Sequence, residues 1–152
     1  MQKPESETET KQIDLGSLPD NLGYVMRRVQ LEIFQHFNDA LAELDIRTGQ
    51  YSVLTVIARN PGLKQRDIAA ALGIKRPNFV TMFDELEKRG LAVRKPSKSD
   101  RRSRALFLTE KGEKTTKELD ALVERHENYW KNKIGREAYH QLMTTLHATL
   151  EA

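Results

Sequence analysis

A mainly α-helical fold with one small β-hairpin is what the sequence predicts, and three observations carry that expectation. Between Leu63 and Leu108 two amphipathic helical patterns are separated by Gly73. The second pattern ends at Gly90 and is followed by two β-type runs, Leu91–Arg94 and Ala105–Leu108, around a polar, basic tip from Lys95 to Arg104. On either side, Leu18–Leu44 and the stretch from Glu110 to Leu150 repeat apolar residues every three or four positions, as amphipathic helices do. Helix, tight turn, helix, hairpin, with long helices at both ends, is an α+β plan: a winged helix-turn-helix with N- and C-terminal dimerisation helices.

The bulk properties narrow the function classes. A length of 152 residues suits one domain with a real core. No run approaches the ~18 apolar residues of a membrane span, and the N-terminus lacks the charged-then-apolar order of a signal peptide, so a cytoplasmic protein is expected. Without cysteine there is neither a disulfide framework nor a thiol sensor. The net charge is +3, but Pro61–Gly112 holds thirteen Lys or Arg against six Asp or Glu, leaving −4 on the flanks. A basic centre between acidic flanks is the footprint of a nucleic-acid-binding module.

Taken in order, residues 1–17 hold Pro4, Gly16 and four acids, and read as a disordered tail. Residues 18–152 read as a single domain. Leu18–Leu44 predicts one long helix, started by Pro19 and Asp20. Its apolar stripe runs from Leu22 through Met26, Val29, Ile33, Phe37 and Leu41 to Leu44, broadened by Val25, Leu31 and Phe34. A helix apolar on two sides contacts two things, here its own domain and a partner subunit. Thr48–Asn60 predicts a short buried helix ended by Asn60-Pro61-Gly62. Leu63–Leu72 predicts a helix with Leu63, Ile68, Ala71 and Leu72 inward, and Gln65 capping it, solvated, or serving a phosphate. Arg76–Arg89 predicts a helix whose core face is Phe79, Met82, Phe83 and Leu86. Glu110 to about Lys131, opened by Thr109, places Leu119, Leu122, Val123, His126 and Trp130 on one stripe; Arg136–Leu150 follows Gly135. Residues 18–44 and 113–152 are thus expected to dimerise, and 45–112 to form the winged part.

Only the start of the second helix of such a motif enters a major groove. That singles out Lys75, Arg76, Pro77, Asn78 and Thr81. Arginine matches guanine and asparagine matches adenine, because each presents two polar atoms at the right spacing. In the hairpin, Arg94, Lys95, Lys98, Arg101, Arg102 and Arg104 crowd together with Asp100 as the acid among them. Such a cluster is self-repelling until a polyanion neutralises it. Ser103 can donate to a phosphate.

The motifs Leu72-Gly73-Ile74, Leu86-Glu87-Lys88-Arg89-Gly90-Leu91, Asp100-Arg101-Arg102-Ser103 and Leu108-Thr109-Glu110-Lys111-Gly112 together resemble the MarR-type transcriptional regulators, over about Leu18 to Leu150. The resemblance implies a homodimer on double-stranded DNA with an inverted-repeat operator. It implies that Arg102 reaches the minor groove or its phosphates while Asp100 holds an arginine in place. Family members commonly carry Ser, Thr or Asp where this chain has Lys75, so the cap of that helix is weaker here. The resemblance also implies a small effector, an aromatic acid or its coenzyme A thioester. Tyr24, Arg27, Arg28, Phe34 and Phe37 on the first helix combine aromatic surface with two cations that suit an acid group; solvated arginines beside core aromatics are the competing account.

Other chemistry finds little support. His36, His126, His140 and His147 form no dense ligand set, although His140 and His147 share a helix face, and no metal site is expected. There is no Gly-rich phosphate loop and no nucleophile motif, so neither a cofactor nor a catalytic residue is expected. The leading expectation is a homodimeric, sequence-specific transcriptional regulator, a repressor released by a small ligand. The alternatives are an architectural DNA-binding protein without effector and a winged-helix protein–protein adaptor, against which the cationic hairpin argues.

Overall fold

The computed structural model describes residues 13–97 and 104–151. The chain divides after Phe34 into two compact units. In the first, a 3-10 turn, Leu18–Asp20, precedes the start of α1, Leu22–Ala42. The single helix expected over 18–44 is therefore interrupted. Pro19 sits in the first turn of the 3-10 segment and Asn21 is extended, with φ −89° and ψ 120°. The Asn21 side-chain oxygen then accepts from the Tyr24 N–H at 3.2 Å and caps α1. Leu22, Val25, Met26, Val29, Leu31 and Phe34 are exposed.

The second unit contains the rest of α1, then α2 (Thr48–Arg59), α3 (Gln65–Ala71), α4 (Arg76–Lys88), β1 (Ala92–Pro96), β2 (Arg104–Leu108), α5 (Glu110–Ile134) and α6 (Arg136–Glu151). α1 stops at Ala42 because Asp45 turns left-handed at φ 51°. Arg89, at the C-cap of α4, donates to the carbonyls of Leu44 and Asp45, which no helix continues to satisfy. At the start of α2, the buried Gln50 accepts from the Arg47 N–H at 3.0 Å and donates to Glu85 of α4 at 2.9 Å.

α3 is shorter than expected, and the inward set differs. Leu63 lies outside the helix, and its carbonyl accepts from Leu106 N–H at 3.0 Å while Lys64, extended, bridges Ala105. The segment before α3 thus pairs with the hairpin instead of starting a helix. Leu63 is 37% exposed and Ala71 is exposed, whereas Ile68 and Ala69 are buried. Gly73 at φ +64° reverses the chain, with Ile74 N–H returning to the Ala69 carbonyl at 2.9 Å.

β1 and β2 pair antiparallel, from Ala92 opposite Leu108 to Pro96 opposite Arg104. Thr109 then joins hairpin to helix. Its hydroxyl accepts from Gly112 N–H at 3.0 Å and donates to the Gly90 carbonyl at 2.6 Å. A Cβ on Gly112 would stand 1.9 Å from the Leu91 carbonyl oxygen, so no larger residue fits. The Leu-Thr-x-x-Gly motif is therefore a junction between the hairpin root and α5.

One core fills this unit. Leu41, Val53, Leu54, Ile57, Ile68, Phe79, Phe83, Leu86, Leu106 and Leu119 are fully buried. α5 contributes Leu122, His126 and Trp130 on the expected stripe. α6 has no buried residue, and Leu142, Met143 and Leu150 are exposed on it. Tyr139 ties α6 back to α5 by donating to the Glu127 carboxylate; that bond, together with burial, pushes the phenol up to about 12.

Candidate nucleic-acid interface and effector region

The N-terminal turn of α4 is built to be read from outside. Lys75 is its N-cap residue and makes no side-chain cap, as its chemistry dictates; Pro77 pre-sets the first turn. Lys75, Arg76, Pro77, Asn78 and Thr81 are all exposed, while Phe79, Phe83 and Leu86 anchor the opposite face in the core. The Thr81 hydroxyl donates back to the Pro77 carbonyl at 3.2 Å.

Two clefts flank this turn. One, of about 480 Å³, lies between α3, the start of α4 and the start of β2, and is lined by Lys64, Arg66, Arg76 and Arg104 among others. The other, of about 230 Å³, brings Arg47 and Gln50 of the α2 start beside Asn78, Thr81 and Glu85. Arg47 pairs with Glu85 at 3.0 Å and remains largely exposed. Lys64, Arg66 and Arg47 were not singled out by sequence reasoning. Their positions beside α4 depend on the pairing of Leu63–Lys64 with β2 and on the Gln50–Glu85 bond, both long-range contacts.

In the wing, Lys98, Asp100, Arg101, Arg102 and Ser103 lie outside the described residues. Arg94, counted with them in sequence, is placed differently. Its guanidinium contacts Asp84 at 2.8 Å and Glu87 at 2.6 Å, donates from Nε to Gln65 Oε1 at 3.2 Å, and lies 4.4 Å above the Phe83 ring. The reading of Arg94 as a free wing cation is corrected: carboxylates on the neighbouring helix neutralise it. Gln65, expected to cap α3 or meet a phosphate, is one of its partners.

Of the effector residues, Tyr24 is half-buried, Arg27 and Arg28 are exposed, and Phe34 is 44% exposed. Phe37 belongs to the second unit. It stands edge-on to Tyr51 at 5.4 Å and tilted on His126 at 4.8 Å. Sequence reasoning missed a further pair here. His36 Nδ1 and His126 Nδ1 lie 2.7 Å apart in a hydrogen bond that requires one to donate and the other to accept. His36 also stacks on Tyr129 at 4.2 Å. Burial, and then the neighbouring His36, lower the His126 pKa below its ordinary 6.5, and Glu127 opposes them. His140 and His147, the pair noted in sequence, are exposed on α6. Among the described residues no group of three His, Cys, Asp or Glu could hold a metal ion, and no helix is long and apolar enough to cross a membrane.

A helix-turn-helix with an exposed reading turn and a hairpin wing defines a DNA-binding class of protein. Comparison with known proteins narrows the class. Residues 44–103 match the model of the MarR family. A curated relative from Thauera aromatica, described as a transcriptional regulatory protein for the hcr operon, is 34% identical over 121 residues, 79% of this chain and 73% of the relative. The transcriptional repressor CouR bound to a 23-mer DNA duplex is 43% identical, with a TM-score of 0.87 over 93% of this chain and 100% of that one. CouR bound to p-coumaroyl-CoA is 38% identical, with a TM-score of 0.83 over 91% and 98%. The chain belongs to the MarR family of transcriptional regulators.

Proposed function

We propose that the chain acts in the cytoplasm as a homodimeric repressor that binds an inverted-repeat operator and is released by an aromatic acid or, more effectively, its coenzyme A thioester. The observation that carries the DNA reading is the exposed first turn of α4 beside a cleft lined by Lys64, Arg66, Arg76 and Arg104. Lys64, Arg66 and Arg104 neutralise phosphates and fix register, leaving Arg76, Asn78 and Thr81 to meet base edges. Pro77 offers apolar surface to a thymine methyl. Lys75 adds charge at the helix start, and Arg101, Arg102, Lys98 and Ser103 of the wing take the adjacent minor groove or its phosphates, with Asp100 holding an arginine.

Dimerisation is supported by the exposed apolar residues of α1 and α6, which leave Leu22, Met26, Leu142 and Met143 open to water. A two-fold dimer places its two recognition helices about one DNA turn, ~34 Å, apart. Residues 18–44 and 113–152 form the dimer and 45–112 read DNA. The effector reading is supported by the adjacent, exposed Arg27 and Arg28 and by the likeness to CouR, whose complex with p-coumaroyl-CoA is known. No catalytic step is part of this function.

Selection of bound sequences from random duplex DNA tests the proposal. An enriched inverted repeat, with sedimentation of the free protein as twice 17.5 kDa, is the expected result. Enrichment of no sequence would favour an architectural DNA-binding protein.

A further inference from the structure

The wing and the recognition helix must be held at a fixed spacing if both are to engage one operator half-site. Arg94, at the centre of β1, stands where that spacing is set. One face of its guanidinium rests on Phe83, which is fully buried in α4. Its edge meets Asp84 and Glu87 of α4, at 2.8 and 2.6 Å, and Gln65 of α3, at 3.2 Å. Its backbone N–H donates to the second oxygen of Glu87 at 2.9 Å. The side chain is only 18% exposed. One planar fork therefore joins α3, α4 and the hairpin, and a lysine, with a single nitrogen, has no geometry that reproduces it.

The two carboxylates make the arrangement informative. On an element facing DNA, an acid repels phosphates and weakens association. Asp84 and Glu87 are two such acids on the recognition helix itself, and both face the same arginine.

We propose that Arg94 is a positioning residue for operator recognition: it touches no DNA, and with Asp84 and Glu87 it fixes the wing against the recognition helix. The inference rests on the reading of α4 and the wing as the DNA contacts. Because the wild-type protein is measured on the selected operator first, failure of that reading is seen separately, as absence of operator binding by the unmutated chain.

The test uses the full chain, with fluorescence anisotropy on a labelled operator and on an unrelated duplex of equal length. Arg94→Lys keeps the charge and removes the fork. It is expected to weaken operator binding by about tenfold, while affinity for the unrelated duplex stays within about twofold, since that term depends on charge alone. Glu87→Gln and Asp84→Asn are expected to weaken operator binding too, although each removes a negative charge from the recognition helix. Thermal unfolding checks that each variant is folded; should Glu87→Gln not fold, Asp84→Asn and Arg94→Lys carry the decision. Tighter operator binding by the two acid variants would overturn the proposal, because it would mean that freeing Arg94 for DNA is favourable. An unchanged operator affinity in Arg94→Lys would overturn it equally.

Discussion

Asn78 and Arg102 belong to different elements, and their loss should be felt differently. Asn78 is exposed on the first turn of α4, where an amide matches a base edge. Asn78→Ala is expected to cost about 1–3 kcal/mol and to relax preference at one base pair per half-site. Arg102→Ala should weaken binding to all sequences and lower the slope of affinity against salt, because a phosphate or minor-groove contact carries little base identity. Competition titrations with single-base operator variants separate the two; equal loss on every variant for Asn78→Ala would refute the base contact. The exposure of Lys75, Arg76, Pro77, Asn78 and Thr81 was legible in sequence because a helix repeats locally, and Phe79, Phe83 and Leu86 fix its inner face. The role of Arg94 was not, since charge in a string of charges says nothing of its partners. Gln65 lies 29 residues away and Glu87 lies 7 away.

At the scale of elements, the helices with a continuous apolar stripe were predictable and the junctions between them were not. α5 buries Leu119, Leu122, His126 and Trp130 as the spacing demands. Leu63 departs from its helical pattern because pairing with Leu106, 43 positions on, satisfies its carbonyl instead. The start of α1 shifts because Asn21 caps locally. The junction from β2 to α5 yields a sharp prediction. Gly112→Ala pushes a methyl group into the Leu91 carbonyl and should lose at least about 2 kcal/mol, read from urea midpoints. Gly73→Ala meets nothing within 4 Å and has only its φ of +64° against it, so it should lose about 1–2 kcal/mol. The reverse order of the two would discredit the close approach. The helix pair α1–α5 carries the second prediction. Because the fold lowers the His126 pKa, chiefly by burial and then by the charge of His36, the unfolded chain binds a proton that the folded chain resists. Stability should therefore fall as pH drops through the ordinary histidine value of 6.5. Thermal unfolding between about pH 7.5 and about pH 5.5 measures it, and His126→Gln should flatten that segment of the profile. His36 and His126, 90 residues apart, left no local signal of their meeting.

For the whole molecule, release of DNA by a ligand requires that the ligand favour an arrangement whose recognition helices no longer match the operator. An aromatic thioester is expected to lower operator affinity with a coupling of about 1–3 kcal/mol. Replacing Arg27 and Arg28 together with Gln should leave operator binding largely intact and abolish release. Titration with aromatic acids and their thioesters, followed on labelled operator, decides it. If release persists in the double variant, the anion contact lies elsewhere. The bond from Arg89 to the carbonyls of Leu44 and Asp45 has a consequence for engineering. The basic segment 45–112 looks like a module that could be cut out and grafted onto another scaffold. Cut there, the graft would lose the Leu44 carbonyl that Arg89 holds at the rear of α4 and the Leu41 side chain that plugs the core. A portable DNA reader from this chain has to carry the last two turns of α1 with it.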